Sequence, residues 1–257
     1  GGPDCFRSEE GLKLLENPYV DAICTGEADY AWPEFLDMFE KNNFSIGECK
    51  GFCYKKEDGN IVDCGDPDLV SDLDNIPFAD YDSINFSKYT LSNRVCLMMS
   101  RGCINRCAYC SEGPNFLKYR YRNPENLFQE VKKQVNLLRR VSNSRPHINF
   151  SDSLINGRPE ILEQFCDLVI QESLDFSWGG MALLRKEMTP ELLSKMKTAG
   201  CMELCWGLES GSKKVLELMR KTRFTPELAE EILRTANELG FDQYGNVIIG
   251  FPGETEE

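Results

Sequence analysis

The chain beyond residue 92 alternates two patterns. Short apolar runs, VCLMM (95–99), HINF (147–150), FSWGG (176–180), MELCWG (202–207) and NVIIG (246–250), read as strands. The longer stretches between them repeat apolar residues at helical spacing. Four helix starts are built alike: NPENL at 123, RPEIL at 158, TPELL at 189 and TPELA at 225. Each places Pro before Glu, and in three of them Pro reads as the first helical residue. There its missing N–H costs nothing, and the Glu charge favours the positive helix end. Thr189 and Thr225 are suited to cap their helices, and Gly200 and Gly240 to end two of them.

The prolines recur about every 35 residues, the size of one strand-plus-helix unit. Alternation of this kind predicts a parallel sheet with helices outside, an α/β fold closing into a partial barrel of about five βα units. Chemistry in such a barrel belongs at the C-terminal ends of its strands. Residues 1–72 differ. VDAICTGE reads as a strand and turn, DYAWPEFLDMFEK as a helix, and GFCYKKEDGNIVDC as a hairpin turning near Asp58-Gly59. Together they resemble the last third of a doubly wound α/β domain. The Asp-rich stretch 73–91 reads as a linker, which leaves 92–257 as the barrel. The opening GGPDCF and closing FPGETEE both read as cut ends, so a truncated barrel within a longer protein is expected.

Charge narrows the function classes. Of 257 residues, 42 are acidic and 29 basic, a net charge of −13, which disfavours wholesale attraction to nucleic acid. No run of about 18 apolar residues predicts a membrane span. Twelve cysteines in a chain of this size fit a reducing cytoplasm better than a disulfide scaffold. Cys96, Cys166, Cys201 and Cys205 read as small core residues, and the only histidine, His147, as the start of a strand.

One segment does not fit that background. SRGCINRCAYCSEG (100–113) sets Cys103, Cys107 and Cys110 within eight residues, directly after the first barrel strand. A structural zinc site wants four ligands, usually as two pairs, and no second pair lies nearby. A disulfide would leave one thiol over in a tight loop. Composition alone produces such spacing occasionally. An iron–sulfur cubane that only carries electrons uses four thiolates, whereas three leave one iron open to bind a substrate or cofactor. The position at a barrel mouth favours that last reading.

CINRCAYC resembles the CxxxCxxC motif of the radical SAM enzymes, with the aromatic that precedes its third cysteine. The resemblance extends along the chain. LDNIPFADYD is similar to the linker before the barrel in the cobalamin-binding subclass, and YRYRNPENLFQEV to the segment entering its first helix. AGCMELCWGLESGSKKVLELMRK and NVIIGFPGETEE resemble its fourth and fifth strand regions. GGPD and TGEADYAWPEFL resemble the end of a Rossmann-like cobalamin-binding domain, here residues 1–72.

The resemblance implies a (β/α)6-type, TIM-like radical SAM barrel in which Cys103, Cys107 and Cys110 hold a 4Fe–4S cluster. S-adenosylmethionine would chelate the open iron and be cleaved to a 5′-deoxyadenosyl radical. Around it, Tyr109 is carried over as an adenine contact, and Ser151, Asp152 and Ser153 as contacts to the methionyl end. Arg185 is carried over for the methionyl carboxylate, Glu209 for a ribose or ammonium group, and Gly250 for adenine. Glu254 falls one residue late of the family pattern. Arg101, Arg106, Lys118, Arg120 and Arg122 read as a solvated basic rim that could receive an acidic reductase such as flavodoxin or ferredoxin.

The subclass implies cobalamin as a further cofactor, although its DxHxxG motif is absent from this chain. It also implies methylation or another C–H functionalisation of an unidentified small molecule or peptide, under anaerobic, cytoplasmic conditions. Two alternatives stand beside it: a methylthiotransferase acting on RNA or protein, and a non-enzymatic iron–sulfur or zinc-binding module.

Overall fold

A computed structural model describes residues 5, 8–42, 47–112 and 118–255; the GGPD opening and the final two residues of FPGETEE lie outside them. The chain divides into two compact units, Gly1–Asp72 and Leu73–Glu257.

In the first unit a short helix, α1 (Glu9–Leu12), is capped by the Ser8 hydroxyl. Strand β1 (Ala22–Cys24) leads into helix α2 (Ala28–Lys41), followed by the hairpin strands β2 (Phe52–Lys55) and β3 (Ile61–Asp63). The hairpin turns as expected: the Asn60 N–H donates to the Asp58 carboxylate at 2.9 Å, and Gly59 has φ +88°. β1 pairs antiparallel with β2, so this three-stranded sheet is wholly antiparallel. The apolar stripe of α2 packs on the sheet, with the Phe35 and Phe52 rings stacked at 4.2 Å. Beside it an aromatic hollow of about 730 Å³ is lined by Tyr19, Trp32, Phe35, Phe39 and Phe52.

The second unit carries a five-stranded, fully parallel sheet. Its strands are β4 (Arg94–Leu97), β7 (His147–Phe150), β8 (Ser177–Ala182), β9 (Cys201–Glu209) and β10 (Asp242–Val247), adjacent in that order. Helices α3 (Pro124–Val141), α4 (Pro159–Gln171), α5 (Pro190–Thr198) and α7 (Pro226–Glu238) alternate with them. All four begin on the expected prolines, and Asn123, Thr189 and Thr225 cap three of them through side-chain oxygens. Gly200 and Gly240 follow α5 and α7 at φ +89° and +74°. This is the partial, TIM-like barrel that the strand–helix alternation predicts.

The strand pleat sorts the side chains. Val95, Leu97, Ile148, Phe150, Trp178, Leu204 and Trp206 point to the helices and are buried. The intervening residues Cys96, Asn149, Met181 and Tyr244 are exposed on the other face. That corrects the core reading of two cysteines: Cys96 is exposed and Cys205 half-buried, because each alternates with a helix-facing neighbour. Cys166 and Cys201 are buried as expected.

The last strand also differs. It starts at Asp242, four residues before the NVIIG run, and ends at Val247. It is largely exposed and mostly polar, FDQYGN standing where an apolar run was sought. Two elements were not foreseen: a two-stranded ribbon of β5 (Ser100–Arg101) and β6 (Arg120–Tyr121), and the short helix α6 (Lys213–Leu218).

Residues 73–91 form part of the second unit. The Glu130 carboxylate on α3 accepts the Ala79 N–H at 2.7 Å, and Gln134 donates to the Ala79 carbonyl at 2.8 Å. Asp74 accepts the Asn123 N–H, and Tyr81 donates its hydroxyl to the Cys96 carbonyl at 2.7 Å. The segment thus runs as a strap along α3. No helix among the described residues is long and apolar enough to cross a membrane.

Candidate active site

The three-cysteine loop leaves the ribbon strand β5 through Gly102, at φ +84°, and stands at the C-terminal end of the sheet. Cys103, Cys107 and Cys110 are all half-buried and free. The Asn105 N–H approaches the Cys103 sulfur at 3.4 Å, and the Cys110 N–H donates to the Cys107 carbonyl at 3.2 Å. Burial pushes the Cys103 and Cys107 thiols up, and the nearby Lys221 ammonium opposes the rise in both.

The segment after α6 holds this loop. Ala108 N–H donates to the Met219 carbonyl at 2.9 Å. Arg223 donates to the Asn105 side chain at 2.7 Å and to the Ile104 carbonyl at 3.2 Å. Between them, the Lys221 ammonium donates to Glu209 at 2.9 Å and lies 3.3 Å from the Tyr109 hydroxyl. Lys221 and Glu209 are both buried. Burial, with Cys107 and Glu209 adding to it, drives the Tyr109 hydroxyl far above the usual phenol range. From the end of β10, Phe251 meets the Tyr109 ring edge-on at 6.4 Å.

After β7 the expected trio divides. Ser151 is exposed, and its N–H donates to the Leu97 carbonyl at 2.9 Å. Ser153 donates its hydroxyl to Glu112, two residues past Cys110. Asp152 is buried and accepts from the Met99 N–H at 3.1 Å and from the N–H and hydroxyl of Ser100. Burial raises its carboxyl to about 7 despite those donors. Its side chain thus fixes the backbone that enters the cysteine loop.

Arg185 also faces the protein. It donates to the Asn156 and Gly157 carbonyls at 3.0 and 3.1 Å and pairs with Glu187 at 2.7 Å, which depresses the Glu187 carboxyl to about 2. Buried Asn156 in turn exchanges two hydrogen bonds with the Leu183 backbone. Gly250 is exposed at φ +82°, with open space where a side chain would stand. Its N–H, like that of Phe251, donates to Glu254, which caps the turn.

The basic rim needs correction. Arg120 and Arg122 are buried. Arg122 pairs with Glu130 and Asn126, lies 3.9 Å from Asp74, and sits over the Phe78 ring. Arg122 thereby ties the ribbon to the strap and to α3 instead of facing solvent.

Below the loop, on the open face of the sheet, a cavity of about 350 Å³ is lined by Asn149, Ser151, Met181, Glu203, Cys205 and Tyr244, among others. Lower still, Arg94 reaches Glu203 at 3.4 Å across β7 and β8, and His147 bonds Ser177 at 2.9 Å.

The donor set suits a cluster. Among the described residues no three His, Cys, Asp or Glu side chains converge on one point, as a single ion requires. Thiolates around a multi-iron cluster each bind a different iron and need no common point. An N–H directed at Cys103 and a cation beside the loop both favour sulfur that carries negative charge.

Residues 97–257 match the profile of the Radical SAM superfamily, and the chain belongs to that superfamily. Over 260 aligned residues it is 29% identical to an uncharacterized methyltransferase of Pyrococcus horikoshii, covering all of this chain and 54% of that protein. It is 27% identical to the anaerobic magnesium-protoporphyrin IX monomethyl ester cyclase of Cereibacter sphaeroides, over 95% of this chain and 40% of that one. Among solved structures, the radical S-adenosylmethionine methyltransferase TsrM of Kitasatospora setae, with cobalamin and a [4Fe-4S] cluster bound, shares the fold. Its TM-score is 0.74 at 15% identity, covering 95% of this chain and 51% of that structure. The chain spans about half the length of these relatives or less.

Proposed function

We propose that the protein of which this chain is part is a radical SAM enzyme of the cobalamin-domain subclass. In this reading it cleaves S-adenosylmethionine and methylates, or otherwise functionalises, an unreactive C–H position. The observation that carries this is the loop: three half-buried thiols on one turn at the C-terminal mouth of a parallel partial barrel. Cys103, Cys107 and Cys110 would hold a 4Fe–4S cluster with one iron left for the methionyl group. When bound, such a cluster supplies the electron that splits S-adenosylmethionine into methionine and a 5′-deoxyadenosyl radical.

The chain's own residues bind and orient. Tyr109 within the loop, Glu209 beside it, the exposed Ser151 and the open Gly250 turn are assigned to the nucleotide and methionyl ends. Ser153 belongs with them through Glu112. Asp152 and Arg185 act at one remove, Asp152 by fixing Met99 and Ser100, Arg185 by fixing the Asn156–Gly157 turn. The cavity below would take a small molecule or part of a peptide. Cobalamin belongs to the reading through the similar structure that holds it, and no residue of this chain is assigned to it. An acidic reductase such as flavodoxin or ferredoxin and a cytoplasmic location complete the proposal.

The test uses the full-length protein, reconstituted anaerobically with iron and sulfide and given S-adenosylmethionine and dithionite. The expected result is a 4Fe–4S absorption and EPR signature with release of 5′-deoxyadenosine or S-adenosylhomocysteine. Cys107→Ala should lose both while keeping its fold by circular dichroism. A wild-type protein that holds zinc and no cluster would overturn the reading.

A further inference from the structure

The carboxylate of Glu209 and the ammonium of Lys221 form an ion pair out of water, at 2.9 Å, with both residues buried. Removing a lysine from water is costly unless its partners compensate. The surrounding backbone makes concessions to keep it there. Glu209 is itself one of three non-glycine residues with positive φ among those described, at +65°. Such conformations cost energy and tend to mark functional positions. Gly207 leaves room beside the ammonium: a Cβ there would stand 2.5 Å from the Lys221 nitrogen.

The ammonium is also fixed relative to the cysteines. The Met219 carbonyl holds Ala108 on one side of Lys221, and Arg223 holds Ile104 and Asn105 on the other. The Lys221 nitrogen also lies 3.3 Å from the hydroxyl of Tyr109, the residue before Cys110. A positive charge beside a redox centre favours the state with one more electron.

We propose that Lys221, held by Glu209, is a positioning residue that raises the reduction potential of the cluster bound by Cys103, Cys107 and Cys110. The inference rests on the cluster assignment. Electron uptake is the step such a charge eases, and Glu209 moderates its field while keeping the ammonium in place.

The test is an EPR-monitored redox titration of the full-length reconstituted protein, alongside iron content per chain. Lys221→Met should disfavour reduction about tenfold, equal to about 59 mV for a one-electron couple. Glu209→Gln should shift the potential the opposite way, and Lys221→Arg should stay near wild type. The double variant Lys221→Met/Glu209→Gln should fall between wild type and Lys221→Met. Shifts of the same sign in the two single variants, or none beyond threefold at full iron content, would overturn the inference. If Lys221→Met fails to hold iron, an unshifted Glu209→Gln potential has the same consequence. Absence of any cluster in the wild type would instead count against the assignment on which the inference rests.

Discussion

The two faces of the parallel sheet are made from the same strands and share almost nothing else. On the helix side, Ile148, Phe150, Trp178, Leu204 and Trp206 are no more than 2% exposed, and the Phe150, Phe165 and Trp178 rings meet edge to face. On the open side stand an ion pair, two thiols, an amide and a tyrosine. Burial of apolar area stabilises the fold from the first face. The second face is thereby free to vary in side-chain chemistry at little cost to the fold, which is what a barrel that serves many substrates requires.

The contrast can be broken at its strongest point first. Trp178→Ala removes a fully buried ring and its 2.8 Å bond to the Ala199 carbonyl, and should cost about 3–5 kcal/mol in urea unfolding. A loss under about 1 kcal/mol would mean that the helix face does not carry the fold. Gly179→Ala sharpens the boundary between faces. Its Cβ would fall 2.7 Å from the Glu203 Cβ and 2.8 Å from the Glu203 carbonyl, so about 1–3 kcal/mol should be lost. Because Gly179 leaves the way clear for Glu203 to reach Arg94, the same variant should open that pair. Arg94→Ala should cost under about 1 kcal/mol in the same assay, since the pair is partly solvated. A larger loss would give the open face a structural share that its exposure does not suggest.

The fold was legible where local chemistry sets it. Pro-Glu starts, glycine ends and apolar runs located four helices and four of the five strands, because each is decided within a few residues. β10 was placed late because three of its first four residues, Asp242, Gln243 and Gly245, are not apolar. Cys96 and Cys205 were assigned to the core on composition, although strand alternation already pointed them the other way.

The cysteine loop could be found from spacing and place together. The groups that hold it could not, since Lys221 meets Glu209 across twelve residues and Tyr109 across 112. One local sign was present. Gly207 lies two residues before Glu209 on the same strand face, and a missing side chain there leaves room for a visitor. Arg122 was read as surface because nothing near it in sequence announces Glu130 as a buried partner.

The strap over α3 decides where this protein can be cut. Glu130 and Gln134 bind the two polar groups of Ala79, and Asp74 serves the entry to α3. A shortened form beginning at Leu73 keeps those partners, whereas one beginning at Arg94 strips them from a buried acid and a buried amide. A piece that keeps these bonds therefore starts some twenty residues upstream of its first sheet strand, and dissection at the strand itself should yield an aggregation-prone fragment.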